Sequence, residues 1–528
     1  MSSVIDGQWR RLDPKTIAAA AVLVLAPLVP TAGIMFLSDA KPGTLLVTAL
    51  IWGGIAVLIS GYTAADWWLT WYRITEERFE LRHGVLTRNH RWIPRERIRS
   101  VDLTADPSHR LFRVTTVKVG TGGQASDASE LKLDAISRHH AESLRQELLF
   151  GSSSTSDTAP YREPATEPAI AAGTAAGTAA GSTSGSTAAS AGIGETTLAR
   201  LNPAWFRFSA LTVSFMLIVW GAIASAVGSF KELLANFGVF DSIAHAVLAS
   251  SLWLVIGATA AIALVVGVLG AIVLSVEMWW GFRLTRERGD TLRVKRGLLT
   301  TRSVSLEERR LRGVELAEPL LLRWARGARL HAVATGLNQK QEEHQPDNKT
   351  LLPPAPRAEA HRVATEALRE RESPFRGELR RHPRAALRRR ITWALVSAVP
   401  FIAAAVVAAV FGWLPVAATV AVGVVTVAVA VGFALDAYRN LGHEITDRYL
   451  IARSGTGIRR TVALQREGII GWRINRTVFQ RRSDLLTIGA TTAAGNSVYE
   501  VHDVSTEAGL RLAEEAVPGL LAPFLQRG

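Results

Sequence analysis

The stretch Leu81-Arg82-His83-Gly84-Val85-Leu86-Thr87 is answered far downstream by Val294-Lys295-Arg296-Gly297-Leu298-Leu299-Thr300, and in worn form by Arg453-Ser454-Gly455. Strand-forming residues broken by a glycine are the pattern of a β-hairpin. The match extends outward on both sides. Upstream stand Trp71-Tyr72-Arg73-Ile74-Thr75, Phe282-Arg283-Leu284-Thr285 and His443-Glu444-Ile445-Thr446. Downstream stand Ile93-Pro94-Arg95-Glu96-Arg97-Ile98-Arg99-Ser100-Val101, Leu306-Glu307-Glu308-Arg309-Arg310-Leu311-Arg312-Gly313-Val314 and Leu464-Gln465-Arg466-Glu467-Gly468-Ile469-Ile470-Gly471-Trp472. A unit that recurs at this spacing exceeds the periods of solenoid repeats and indicates three tandem domains.

Each unit is preceded by two apolar segments: Ile17 to Leu37 and Leu45 to Ala65, Phe208 to Gly228 and Leu252 to Val276, Ile391 to Phe411 and Val416 to Leu435. None contains Lys, Arg, Asp or Glu. About 20 apolar residues suffice to cross a bilayer as a helix. Buried helices of a soluble bundle would show polar faces, and these show none. The expectation is therefore six transmembrane helices arranged as three hairpins. Arg10, Arg11 and Lys15 before the first segment imitate a signal peptide, but its apolar run exceeds the roughly 7 to 15 residues of an h-region. It also opens like its counterparts, with Arg11-Leu12-Asp13-Pro14 matching Arg200-Leu201-Asn202-Pro203 and Arg381-His382-Pro383. Asp13 or Asn202 can cap a helix that has Pro at its first position.

The chain has 60 Lys and Arg against 46 Asp and Glu, and no cysteine. All the basic residues except Lys41 and Lys231 fall on the side shared by the termini and the three repeat bodies, which the positive-inside rule assigns to the cytoplasm. This places the protein in the cell (inner) membrane as a multi-pass protein with both termini cytoplasmic. The excess of positive charge is thereby explained by topology, and nucleic acid is not expected as a partner. Lack of cysteine excludes disulfides and thiolate chemistry.

The resulting division is hairpin 1 over 1–70, domain 1 over 71–150, a Gly/Ser/Ala/Thr tether over 151–197, hairpin 2 over 198–279, domain 2 over 280–372, hairpin 3 over 373–440 and domain 3 over 441–528. The tether composition cannot bury enough apolar surface to order itself. In domain 1, strands are expected near Tyr72 to Ile74, Arg78 to His83, Thr87 to Pro94, Ile98 to Thr104, Thr115 to Gly120 and Glu130 to Leu133. A closing helix follows from a Ser137 cap to Leu149, with Ala358 to Leu368 and Ser505 to Leu521 in the same place later. The outer loop from Ser229 to Ser251 can hold one short interfacial helix around Phe230, Leu233, Leu234 and Phe237.

These motifs resemble the bacterial pleckstrin-homology (PH) domain family of the YdbS-like type, in which a membrane hairpin precedes the domain. The resemblance rests on the Arg-Ile-Thr or Arg-Leu-Thr lead-in, the Arg-His-Gly-Val-Leu-Thr hairpin, the Arg-Ile-Arg-Ser-Val segment and the Arg110-Leu111-Phe112-Arg113 turn. That turn is answered by Leu322-Arg323-Trp324-Ala325 and Val478-Phe479-Gln480-Arg481. Copy three departs by having Glu444 where Arg73 and Arg283 stand. The resemblance implies three cytoplasmic α+β domains, each made of small antiparallel sheets capped by a C-terminal helix. It says little of function, because the family consists mostly of uncharacterised membrane proteins.

Two sets of charged residues stand out. Asp66, Glu277 and Asp436 precede the three domains at the membrane edge, beside Trp67, Trp68, Trp279, Trp280 and Tyr438. Their structural reading is a salt bridge to Arg73, Arg283 or Arg439, and the functional alternative is an ion or substrate site. The second set is Arg88, Arg91, Arg95, Arg97 and Arg99 in copy one with Arg302, Arg309, Arg310 and Arg312 in copy two. Such runs are candidates for contact with anionic headgroups, at about 1 kcal/mol per basic residue, or with a protein partner, against a bland role as a solvated face. Eukaryotic PH domains that bind phosphoinositides use a basic first hairpin, whereas here that turn reads Thr75-Glu76-Glu77-Arg78 or Thr446-Asp447-Arg448, which disfavours such a pocket.

Enzyme signatures fail. His443-Glu444-Ile445-Thr446-Asp447 lacks the second histidine of a zincin, Gly181-Ser182-Thr183-Ser184-Gly185 lacks a central serine, and His139-His140 has no acidic or Cys partners at ligand spacing. No catalytic residue, metal or cofactor is expected. The sequence therefore reads as a membrane-anchored protein- or lipid-binding scaffold, with a component of a transporter or export/resistance system as the alternative.

Overall fold

The computed structural model describes residues 7–25, 42–75, 77–84, 89–98, 100–120, 130–150, 195–229, 231–236, 238, 245, 247, 250–287, 290–335, 349–521 and 523. Long apolar runs form helices where expected: Lys15–Leu25, Pro42–Leu69, Val213–Ser229, Leu252–Trp279, Arg384–Val410 and Val416–Arg439. Four of them are long and apolar enough to cross a membrane. The expected third span is not one straight helix. The Pro203–Ser209 segment meets Val213–Ser229 at 73°, and this bent pair counts as a fifth span if taken together. The expected first span is described only as far as Leu25. Six spans are thus not established by helix length alone.

Hairpins 1 and 2 are each led in by a short strand that returns to the domain that follows, and hairpin 3 by a single bridge between Arg380 and His443, a feature the sequence reading missed. Strand β1 (Arg10–Arg11) pairs with β2 (Trp71–Ile74), which continues through β3 (Arg78–His83) to β4 (Asn89–Pro94). A single 3-10 turn over Arg95–Arg97 then throws the chain into a second sheet of β5 (Ser100–Ala105), β6 (Val114–Gly120) and β7 (Glu130–Ser137), and the helix Arg138–Phe150 closes the domain. Phe79, Val101, Val117, Leu133 and Leu144 fill the space between these layers. Alternation of inward apolar residues fixes which face each strand buries.

Domain 2 repeats the plan with β8 (Thr196–Arg200), β9 (Arg283–Glu287), β10 (Thr291–Arg296) and β11 (Thr301–Glu307), then β12 (Leu311–Pro319), β13 (Gly327–Ala334) and β14 (Thr350–Pro356) before the helix Arg357–Leu368. Domain 3 has β15 (Gly442–Ile445), β16 (Tyr449–Ser454), β17 (Ile458–Gln465), β18 (Ile469–Asn475), β19 (Leu485–Thr492) and β20 (Val498–Ser505), closed by Thr506–Ala516 with Ser505 as its cap. Asn202 caps its turn as expected, accepting the Ala204 N–H at 3.0 Å. Strand β8 begins inside the stretch read as tether, and the remainder, 151–194, lies outside the described residues.

The sheets do not stop at domain borders. Strand β5 pairs antiparallel with β11, joining the second sheet of domain 1 to the first sheet of domain 2 in one seven-stranded sheet. Strand β12 pairs with β17 in the same way, giving a six-stranded sheet across domains 2 and 3. The two junctions share a register: Ser100 faces Leu306 as Gly313 faces Leu464. At the two ends of the array, β4 and β18 are sheet edges among the described residues.

Candidate functional site: membrane-edge acids and domain corners

Glu277 lies in the last turns of Leu252–Trp279, and its carboxylate reaches the loop between β10 and β11 of domain 2. Oε2 accepts the Leu299 N–H at 2.9 Å and Oε1 the Thr300 N–H at 3.1 Å. Gly297 begins that loop with φ +109°, and a Cβ there would sit 1.9 Å from the Thr300 carbonyl oxygen, so only glycine allows the loop to close under the acid. Asp436 does the same work in domain 3. Its Oδ2 accepts from Gly457 N at 3.2 Å and from Asn440 Nδ2 at 3.0 Å, while Asn440 also donates to the Gly455 carbonyl at 3.0 Å. The expected arginine partners are not the ones used. Arg73 pairs with buried Glu80 at 2.9 Å, and Asp436 pairs with Arg323 of the preceding domain instead of Arg439. The residues of domain 1 that correspond in sequence, 85–88, lie outside the described residues.

The second set of candidates is divided by the fold. The run from Arg88 to Arg99 is not one strand but β4, a turn and the start of β5. Arg95, at the corner, is buried, and its Nη2 donates to the Glu147 carbonyl at 3.0 Å, in the last turn of the closing helix. Arg466 repeats this in domain 3, donating to the carbonyls of Ala516 at 2.7 Å and Glu515 at 2.8 Å. Cations at helix C-termini are favoured by unpaired carbonyls and the helix dipole. Domain 2 reaches the same end by reversal: Glu308 occupies the corner, Arg286 donates to the Glu366 carbonyl at 2.8 Å, and Arg369 meets Glu308 at 2.8 Å.

Arg310 binds Glu307 at 3.0 Å and the Ile98 carbonyl of domain 1 at 3.0 Å, so it too is engaged inside the protein. Arg302 lies on β11 opposite Thr104, and Arg312 packs along Gly468 of domain 3. Arg309 is exposed and Arg91 half-buried on β4. Arg88 and Arg99 lie outside the described residues, and the backbone of Arg97 forms part of the corner turn. Those of the arginines that lie among the described residues are not gathered into one basic patch.

The sequence reading missed the junctions. Arg145 of the first closing helix is wholly buried against domain 2, with Glu287 at 2.9 Å, Glu142 at 2.8 Å and Ser305 at 2.9 Å. Burial opposes its charge, yet the hydrogen bonds and charges of Glu287 and Glu142 hold its pKa above the ordinary arginine value. Arg293 grips the same two carboxylates at 2.9 and 3.0 Å. At the second junction Arg459 meets Glu318 at 2.7 Å. The turn arginines of the first two domains also reach forward, Arg110 to the carbonyls of Leu298 and Leu299 and Arg323 to Asp436 and Asn440. The three copies of Arg-containing turns in the sequence were the available signal. Nothing in them says that the partner belongs to the next domain.

A cleft of about 370 Å³ opens in domain 3, lined by Glu315 from domain 2 and by Arg460, Arg473, Tyr499, Glu500 and His502. Its charges are answered within it, Arg460 by Glu315 at 3.7 Å and Arg473 by Glu500. Of the histidines weighed as ligands, His140 lies 3.4 Å from Arg10, and among the described residues no group of three or more His, Asp or Glu is placed to hold a metal ion.

Two small antiparallel sheets joined through a corner turn and closed by a C-terminal helix, three times over, define a chain of PH-like modules. The model of the family described as Bacterial PH domain matches residues 20–149, 234–371 and 396–516, well over half of the chain. The protein belongs to that bacterial PH-domain family and carries the domain in three copies. Comparison with curated proteins and with solved structures finds no match.

Proposed function

We propose that this protein is a membrane-anchored scaffold of the cell membrane whose three PH-like domains form one binding array on the cytoplasmic face. The observation that carries this reading is that the domains join by adding strand to strand at open sheet edges, a mode that also serves recognition of extended segments of other proteins. Its anchor is supported by the helices themselves. Val410 is 80% exposed and Val416 76%, and apolar surface of that extent along a helix is stable in lipid, not in water. Protein is favoured over headgroups as the ligand because Arg95 and Arg310 are committed to partners inside the molecule. Exposed Leu111, Trp324 and Phe479 at the three turns suit contact with the bilayer surface.

Cross-linking in native membranes followed by mass spectrometry tests the reading. Cross-links from the domains to another protein are expected; cross-links to lipid headgroups alone would replace protein binding by lipid binding. Topology is checked with reporter fusions after Leu149 and after Phe524, both expected to report the cytoplasm. A fusion active only outside it would overturn the assignment.

A further inference from the structure

The array uses one kind of junction twice and leaves its two halves unused at the ends. Strand β4 is the counterpart of β11 and β17, because Ile93, Leu306 and Leu464 hold the same place opposite Phe79, Leu292 and Leu450. Strand β18 is the counterpart of β5 and β12 by the same test, with Arg473 in the place of Asp102 and Glu315. The edges look like junctions missing their other half. Trp92 is 55% exposed where Ser305 and Ala463 are covered, and Ile474 is 42% exposed where Leu316 is buried.

Charge decides whether the two ends fit each other. Inside the chain the strands on the β5 side carry acids, Asp102 in one and Glu315 and Glu318 in the other. The corresponding places hold Arg473 on β18 and Arg476 just past its end. In the shared register, β18 of one copy laid on β4 of another would set Arg473 directly opposite Arg91, and like charges directly opposite are destabilising. Basic residues on an edge strand are a common defence against open-ended sheet growth. The same Arg91 suits an acid at the place of Glu315. Asp66 adds a second point of attachment: its counterpart Asp436 takes Arg323 from the neighbouring domain, eight positions after Glu315, whereas the Asp66 carboxylate has no such partner among the described residues.

We infer that the edge of β4 receives a strand from a second polypeptide, with an acid opposite Arg91 and an arginine eight positions further on, and that Arg473 and Arg476 exclude the protein's own β18 from that place. This rests on the binding role proposed above and names its partner's chemistry. The strand adds by backbone hydrogen bonds in the register of the two internal junctions, and the acid and arginine select it.

The test uses the full chain in detergent. A donor carries Arg473→Glu and Arg476→Glu, with its own β4 edge disabled by Arg91→Glu; the acceptor is the unmodified protein. A one-to-one complex is expected by mass photometry, weakened at least tenfold when Arg91→Glu is placed in the acceptor and weakened by raising salt from about 0.05 to about 0.5 M. The unmodified protein alone should not form it. Because there is no native cysteine, Ile474→Cys in the donor and His90→Cys in the acceptor should form a disulfide that reports the register. A second donor, Arg473→Gln with Arg476→Gln, guards against misfolding of the first and should bind more weakly with little salt dependence. Absence of any complex from donors that melt like the unmodified protein would overturn the inference. So would self-association of the unmodified protein as tight as its complex with the donor, which would make a second copy the occupant. Either failure leaves the membrane-scaffold reading standing, since native cross-linking tests that separately.

Discussion

Glu277 shows how one side chain ties a membrane helix to a soluble domain. It turns two loop N–H groups that would otherwise face solvent or lipid headgroups into acceptor-bound donors, at 2.9 and 3.1 Å. Glu277→Ala should cost about 0.5 to 1.5 kcal/mol, the usual net worth of a hydrogen bond whose donors water can reach. The change is read as faster hydrogen exchange at Leu299 and Thr300, with Glu277→Gln retaining more protection. A second residue-scale prediction concerns the buried pair His382 and His443. The Nδ1–H of His382 donates to the Asp503 carbonyl at 3.2 Å, which leaves its Nε2 to accept from His443 Nδ1 at 3.1 Å. Burial first, then His382 and Arg380, push His443 down to about 4. A histidine whose folded pKa lies below the unfolded value of about 6.5 contributes stability above that pH and loses it as pH falls toward about 4, by at most about 3 kcal/mol. Thermal unfolding across that window should flatten in His443→Asn; an unchanged slope would remove His443 as its origin.

At the scale of elements, the corner turn and the closing helix act as one device. Arg95 and Arg466 satisfy carbonyls at the helix end from the corner, and domain 2 makes the same connection with Glu308, Arg286 and Arg369. The helix is then free to carry the junction on its other side, where Arg145 meets domain 2. Arg145→Ala leaves Glu142 and Glu287 with Arg293 alone, and a loss near the lower end of the range for broken buried pairs, about 3 kcal/mol, is expected. Denaturant unfolding of the full chain measures it, and Arg145→Lys should not restore it because the side chain serves three acceptors in a forked geometry. Legibility at this scale was uneven. The closing helices and the hairpin glycines were visible in the sequence, because periodicity and backbone sterics are local. The corner stood out in the sequence only as part of a basic run, because Arg95 and Arg91 look alike until burial separates them.

At the scale of the whole molecule, the seven-stranded sheet makes domains 1 and 2 one unit whatever the connection between them does. A protease site placed within residues 151–194 and cut in the purified protein should therefore leave the two fragments co-purifying. Their separation after the cut would show that β5 and β11 do not hold the domains together in solution. What the sequence by itself determined is each local decision: apolar runs that make helices, alternating strands, the glycine at each hairpin, and the family. Only the tertiary structure decided that neighbouring domains share sheets, that the acids grip loops and not the expected arginines, and that the two ends of the array carry edges of unlike kind. The reason is physical. Edge pairing is made by backbone N–H and C=O groups that every residue supplies, so it leaves little trace in residue type. The charges that select a partner acquire meaning only once the register has set one opposite another.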